Sequence, residues 1–346
     1  MPPPQKISPR KDAPLSPSRK YRPAPPVWAA TVTCVVQVCT RRLPQLVLCG
    51  VLGVFLAGCH TGGSGGGFAG LMGKRKDDTG LPQRHSVDAD QLVVMSNLKL
   101  GAHHPLVEEL KVLRNQVHDT LQLPNDKDGE KVTVYLFSNE MEYRKYIQET
   151  YPGLPFRRAY FIGTPERLAV YTFWGDKIRE DLRHEYTHGL LHASLRTVPL
   201  WLDEGLAEYF EVPGAQPGTV NNEYAVRLAG AVQSGWRPDI HRLEQLEKVE
   251  QMHRADYRES WAWVHFMLHS TPDGKQVLLD YLQSLRDTDH PDLLSNSLIA
   301  ALPETEARFL NYVATLNTYR QWMSTPAPEQ FTGTKRNETI SRANAP

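Results

Sequence analysis

Apolar and polar positions along the chain fall into two regimes. Between Gln91 and Phe173 most apolar runs are short and strand-like, whereas after Gly175 they recur with a helical period. Gln91–Leu98 (QLVVMSNL) and Lys131–Phe137 (KVTVYLF) read as strands. Between them Leu106, Leu110, Leu113, Val117 and Leu121 form a helical stripe over Pro105–Leu121. Glu140–Glu149 reads as a short helix. Arg158–Ile162 and Arg167–Phe173 read as strands joined through Gly163-Thr164-Pro165-Glu166, a hairpin signal. Asp176 is the expected N-cap of a helix reaching about Leu195. A second helix begins near Pro199, and others are predicted over 222–234, 257–269, 274–286 and 304–323. Strands first and helices afterwards argue for an α+β fold: a small N-terminal mixed sheet with helices, then a mostly helical half. No 20–50-residue repeat is present.

Charge divides the chain elsewhere. The 346 residues carry 39 basic and 39 acidic side chains, but residues 1–58 hold eight bases against Asp12 alone. From position 59 onward 31 bases face 38 acids, a net of −7. A body of that sign repels phosphate backbones, so no nucleic-acid partner is expected. All four cysteines (Cys34, Cys39, Cys49, Cys59) lie at or before position 59, and all thirteen histidines after it. The body therefore has neither a disulfide framework nor thiolate metal ligands.

The first 58 residues read as an export segment. Residues 1–26 are too rich in Pro, Lys, Arg and Ser to build a core. Arg41-Arg42 precede the uncharged run Leu46–Leu56, which as a helix rises roughly 16 Å, too short for a bilayer core of about 30 Å. That length fits the apolar region of a signal peptide. An uncleaved anchor extended through Leu43 is the alternative, and translation starting near Val35 to Val38 is a second open point. Leu56-Ala57-Gly58-Cys59 resembles the lipobox of a bacterial lipoprotein, which implies an exported protein held to the membrane through lipid on Cys59. Residues 59–87, with Gly62-Gly63-Ser64-Gly65-Gly66-Gly67, read as anchor and flexible tether, 88–323 as the folded domain, and 324–346 as a loose polar tail.

The chemistry sits in two neighbouring helices. His184-Glu185-Tyr186-Thr187-His188 is H-E-x-x-H within a predicted helix. Positions i and i+4 lie about 40° apart on one face, so His184 and His188 can reach one metal ion. Glu185 lies beside that face and can meet a water on the metal without being a ligand. A catalytic zinc site wants three protein ligands and an open position. Glu204, in Leu202-Asp203-Glu204-Gly205-Leu206-Ala207, can supply the third. Glu208, one turn further, can accept a hydrogen bond from a ligand imidazole. Gly205 costs about 1 kcal/mol in a helix interior, which suggests a close backbone approach to the H-E-x-x-H helix. His192 lies one more turn along the metal face and suits a supporting role better than ligation. His103, His104, His241 and His253 belong to no partnered motif and read as surface residues.

These two segments resemble the gluzincin, or peptidase-MA-like, zinc metallopeptidases, and most closely an uncharacterised bacterial domain-of-unknown-function family within them. The likeness runs from about Gln91 into the late helices and includes Arg157-Arg158-Ala159-Tyr160-Phe161. It implies a zincin-like helical half and Zn2+ held by His184, His188 and Glu204, with Asp203 where the family usually has Asn. Fifteen residues separate His188 from Glu204, fewer than in the aminopeptidase branch. A metzincin fits less well, because its third His falls on Ser194. The implied activity is hydrolysis of peptide bonds in peptide or protein substrates of the cell envelope, with Glu185 as general base. Tyr257, in Tyr257–His265, is the expected oxyanion donor, with His265 as runner-up. If Arg167–Phe173 is a sheet edge, an extended peptide can pair with it. The alternative is a non-catalytic binding or structural lipoprotein that retains a zinc site.

Overall fold

The computed structural model describes residues 35–37, 80–124, 130–214, 216–288 and 290–324. The lipobox, Cys59 and the glycine tether lie outside these residues. The fold is α+β, with a mixed sheet first and helices after it.

The strands are β1 (Val35–Gln37), β2 (His85–Ala89), β3 (Leu92–Ser96), β4 (Val132–Phe137), β5 (Ala159–Thr164) and β6 (Arg167–Phe173), in the order β1-β5-β6-β4-β3-β2. β3, β4 and β6 run parallel to one another, and the other pairs are antiparallel. The β5–β6 hairpin closes with Thr164 opposite Arg167, so Pro165-Glu166 alone make its turn. Arg167–Phe173 is therefore an interior strand, so the condition for an extended peptide to pair with it is not met. Of the strands from position 80 onward, β5 and β2 are the outermost, and β1 pairs along the outer side of β5. β2 begins at His85, within the stretch read as tether, and Leu81 before it is already buried in a core cluster.

The period-two pattern of the strands sorts residues onto two faces. Val132, Val134 and Leu136 of β4, with Leu168 and Val170 of β6, join the main core. Helices α1 (Pro105–Leu121) and α3 (Ile178–Ser194) add Leu110, Leu113, Leu182, Tyr186 and Leu190 to that core. Tyr135 and Phe137 of β4, with Tyr160, Ile162 and Tyr171, belong to a second, aromatic cluster with Tyr143, Tyr146 and Ile147 of α2 (Glu140–Thr150). Asp176 does not cap α3: Lys177 holds the N-cap position without a side-chain bond. Acidic Glu180 and Asp181 occupy the first turn instead, where negative charge is favoured.

The helical half continues with α4 (Leu200–Glu211), α5 (Asn222–Gln233), α6 (Ile240–Glu244), α7 (Arg254–His269), α8 (Pro272–Asp287), α9 (Leu294–Ala301) and α10 (Thr305–Ser324). α7 starts one turn earlier than its apolar pattern suggests, because the Asp256 carboxylate caps the His253 N–H at 2.7 Å. No helix among the described residues is long and apolar enough to cross a membrane.

Two glycines set the depth of the site. A Cβ on Gly189 would meet Val132 Cγ1 at 2.6 Å, so its absence lets α3 lie directly on β4. A Cβ on Gly205 would meet the Ser260 carbonyl oxygen at 2.7 Å. The close approach that Gly205 permits is thus to α7, not to the H-E-x-x-H helix.

Candidate metal centre

α3 and α4 pack together and carry the site. Arg183, buried in α3, donates from Nε to the Phe210 and Glu211 carbonyls at 3.0 and 3.1 Å. Those carbonyls end α4 and have no partner further along the helix, so the guanidinium satisfies them and fixes the docking of the two helices. Arg183 in turn lies 3.8 Å from Glu109 of α1, which also pairs with Arg179 at 2.6 Å.

Docked this way, His184, His188 and Glu204 bring one ligand atom each to within 4.8 Å of the others. All three side chains are buried: none is more than 1% exposed. Glu204 Oε2 lies 3.4 Å from His184 Nε2 and 3.8 Å from His188 Nε2. These distances exceed a good hydrogen bond but suit two atoms bound to one ion. With ligand bonds near 2.0–2.1 Å, a tetrahedral zinc separates its ligands by about 3.3 Å. His188 Nε2 and both Glu204 oxygens are buried without a hydrogen-bond partner among the described residues. Buried polar groups are nearly always satisfied, and a cation accepting these lone pairs would satisfy them together. The residues therefore fit a zinc ion.

The opposite nitrogens are held by carboxylates. His184 Nδ1 lies 3.1 Å from Glu211 Oε2, and His188 Nδ1 lies 2.9 Å from Asp203 Oδ1. Each acceptor draws the ring proton to Nδ1 and frees the Nε2 lone pair for a metal. Asp203 bonds a second imidazole as well, His192 Nε2 at 2.8 Å. Burial alone would raise the Asp203 carboxyl. The charges and hydrogen bonds of His188 and His192 outweigh it and hold the group well below the usual carboxylate range.

Glu185 is wholly buried beside this cluster. Its Oε2 accepts the Phe161 backbone N–H of β5 at 2.6 Å, and its Oε1 has no partner among the described residues. Burial pushes its carboxyl up to about 7, against the lowering effect of His184, His188 and the Phe161 amide. Such a group exchanges a proton near neutrality.

Of the residues singled out by sequence, His184, His188, Glu204 and Glu185 come together. His192 takes the supporting position expected of it. Glu208 is buried within 4.8 Å of His184 and Glu211, and Glu211, one turn further, brings Oε2 to 3.1 Å from His184 Nδ1. Glu211 and the double contact of Asp203 were not anticipated. The signal for Glu211 was its place with Glu204 and Glu208 along one side of α4, which marks it as a candidate without saying which imidazole it meets; Asp203 had no such signal. Tyr257 is buried in α7, one turn before the Ser260 that meets Gly205. His265 is engaged at both nitrogens, with Tyr312 Oη at 2.7 Å and the Gly218 carbonyl at 3.1 Å. It has no nitrogen left for an oxyanion. His104 is not an idle surface residue: its ring accepts the Leu106 N–H at 3.2 Å and caps α1.

Compared with models of known protein families and with curated proteins, the chain matches none.

Proposed function

We propose that the protein is a zinc-dependent peptidase of gluzincin type, with His184, His188 and Glu204 holding the metal and Glu185 acting as general base. The observation that carries this reading is the setting of Glu185. One carboxylate oxygen is tied to the Phe161 amide, the other is buried and unpaired, and the group lies beside three buried ligand side chains. A purely structural zinc site has no use for a further buried carboxylate that is neither a ligand nor bonded to one and whose pKa is raised toward 7.

When bound, zinc would lower the pKa of a coordinated water toward about 7 and polarise the scissile carbonyl. Glu185 Oε1 takes up the proton released and delivers it to the leaving amine nitrogen. The Phe161 N–H keeps the carboxylate from swinging during both transfers. Tyr257 is the proposed oxyanion donor, since His265 is committed to Tyr312 and Gly218. The substrate is proposed to lie extended along the outer side of β5, where β1 pairs antiparallel from Val35 opposite Gly163 to Gln37 opposite Phe161. On the reading that export removes residues 1–58, β1 leaves with them and this side of β5 opens.

Location is part of the proposal: an envelope lipoprotein anchored at Cys59. A Cys59→Ala variant should leave the membrane fraction, and unchanged membrane association would overturn the anchor. The activity is tested with casein and a quenched-fluorescence peptide library. Hydrolysis should require zinc, stop with a chelator and return on adding zinc. A fully zinc-loaded protein that cleaves neither would favour the non-catalytic module.

A further inference from the structure

One row of paired residues runs across the sheet: His85 opposite Ser96, Ser96 opposite Leu136, Leu136 opposite Thr172, and Thr172 opposite Ala159. It marks the end at which β3, β4 and β6 finish and β2 and β5 begin. Three exposed apolar side chains lie beyond this row, each on a different segment. Met141 follows β4 at the start of α2, Phe156 precedes β5, and Trp174 follows β6. They are 80%, 45% and 42% exposed. The Trp174 N–H donates to the Phe137 carbonyl at 3.0 Å, which carries the pairing of β6 with β4 past Phe173. The Arg144 guanidinium, one turn along α2 from Met141, lies 3.4 Å from the centre of the Phe156 ring. Among the described residues, the large apolar side chains exposed elsewhere are aliphatic: Val112, Val226, Leu293 and Ile299.

Scattered apolar residues on a surface need no explanation. What singles these three out is where the chain comes in. A Cβ on Gly80 would lie 3.6 Å from Tyr146 of α2, and Leu81 is buried in one cluster with Phe137 and Tyr143. From there the chain reaches the row at His85. The segment that begins at Cys59 therefore joins the body beside α2, close to the end that carries Met141, Phe156 and Trp174. Twenty residues separate Cys59 from Gly80, and a Gly-rich chain of that length has an r.m.s. reach of about 25 Å. Lipid on Cys59 would hold this end of the sheet within about that distance of the headgroups. An indole, apolar in body with one N–H, suits the boundary between headgroups and acyl chains. The body carries a net −7 from position 59 onward, so anionic lipid does not attract it, and apolar burial must supply the contact.

We propose that the end of the sheet bearing Met141, Phe156 and Trp174 rests on the bilayer in which Cys59 is anchored. The three side chains sink into the headgroup boundary. The docking rests on the lipid anchor and not on the peptidase chemistry. α3 starts at the same end with Ile178, and Glu185 follows seven residues later, roughly 10 Å along the helix. The candidate metal centre is thereby held near the lipid surface, within reach of membrane-proximal stretches of other envelope proteins.

The test uses the lipidated protein as purified from membranes, placed in phosphatidylcholine vesicles whose acyl chains are brominated near the headgroup. Bromine quenches an indole only on close approach. Part of the tryptophan emission should be quenched in wild type and spared in Trp174→Phe, since Trp201, Trp261 and Trp263 are buried in the core. Met141→Asp combined with Phe156→Ser should relieve the same quenching although Trp174 is still present. If that double variant does not fold, Met141→Asp alone should reduce it. Anionic lipid or high salt should change the quenching by less than about twofold, because apolar contact is not screened. Equal quenching of wild type and Trp174→Phe would overturn the docking. So would quenching that needs anionic lipid and vanishes at high salt. Trp174 emission that responds to protein concentration in detergent, but not to brominated lipid, would overturn it in favour of a second copy of the chain. Protein that stays outside the vesicles removes the anchor and the docking together, whereas anchored protein with Trp174 unquenched removes the docking alone.

Discussion

Glu185 Oε2 accepts the Phe161 amide hydrogen at 2.6 Å, a bond that joins α3, the helix of the candidate metal centre, to the strand proposed to bind substrate. The proposed base is therefore positioned by backbone, which side-chain substitution at 161 leaves in place. In Glu185→Gln the amide oxygen can still accept from Phe161, so helix, packing and ligands are retained. What disappears is a group able to take a proton at Oε1. Zinc content should remain at one per chain while turnover falls 10²–10⁴-fold, the usual loss for a general base. Metal analysis and peptide hydrolysis on the same preparation check this. Loss of zinc with the activity would instead make Glu185 a ligand.

The same substitution should change the acid–base behaviour of the metal-free protein. Burial raises the Glu185 pKa from 4.5 to about 7. A carboxyl raised on folding favours the native state at low pH, and that contribution is lost as pH rises from about 4.5 through 7. Above pH 7 wild-type apoprotein carries a buried negative charge that Glu185→Gln lacks. The variant should thus be the more stable by up to about 3 kcal/mol at pH 8, an upper bound from the shift. The advantage should shrink steadily toward pH 5. Urea unfolding of both apoproteins at pH 5 and pH 8 measures it, and an equal difference at the two pH values would disprove the assigned shift.

Glu211 and Glu208 both stand against His184 from α4. Glu211 holds His184 Nδ1 at 3.1 Å, so Glu211→Gln should weaken zinc binding about 10–100-fold while leaving the ligands in place. Glu208→Gln, whose carboxylate also lies within 4.8 Å of His184, should weaken it by no more than that, and Glu204→Gln should abolish stoichiometric binding. Competition with a chromophoric chelator gives all three affinities. A larger loss for Glu208 than for Glu211 would reverse their roles.

What could be read from sequence was local, and what could not depended on docking. His184, Glu185 and His188 are fixed relative to one another by helix geometry, so H-E-x-x-H was legible at once. Glu204 was legible because a three-ligand site needed a carboxylate close behind. Which acid meets which imidazole depends on how α4 rotates against α3. That rotation is set by Arg183 and by Gly205 on Ser260, contacts that no spacing announces. Strand order is non-local in the same way: β6 is buried between β5 and β4, although its neighbour in sequence is the metal helix. β2 was missed because it buries Val87 alone among His85–Ala89, so no alternation marks it.

Gly205 gives the sharpest test of that docking. On propensity alone, Ala in a helix interior should gain about 1 kcal/mol over Gly. Here the added methyl would sit 2.7 Å from the Ser260 carbonyl oxygen and 3.0 Å from Val264 Cγ2. The first of these is backbone, which cannot step aside without moving α7. Overpacking of this kind costs about 1–3 kcal/mol, so Gly205→Ala should destabilise the fold. Because Gly205 follows Glu204 directly, any shift of α4 away from α7 also moves a metal ligand, and zinc affinity should fall as well. Gly230 of α5 is the control, for a Cβ there meets nothing within 4 Å. Gly230→Ala should stabilise by about 0.4–1 kcal/mol and leave zinc binding unchanged. Thermal unfolding with zinc titration of both variants decides it. A stabilising Gly205→Ala would mean that α4 and α7 do not meet at Ser260.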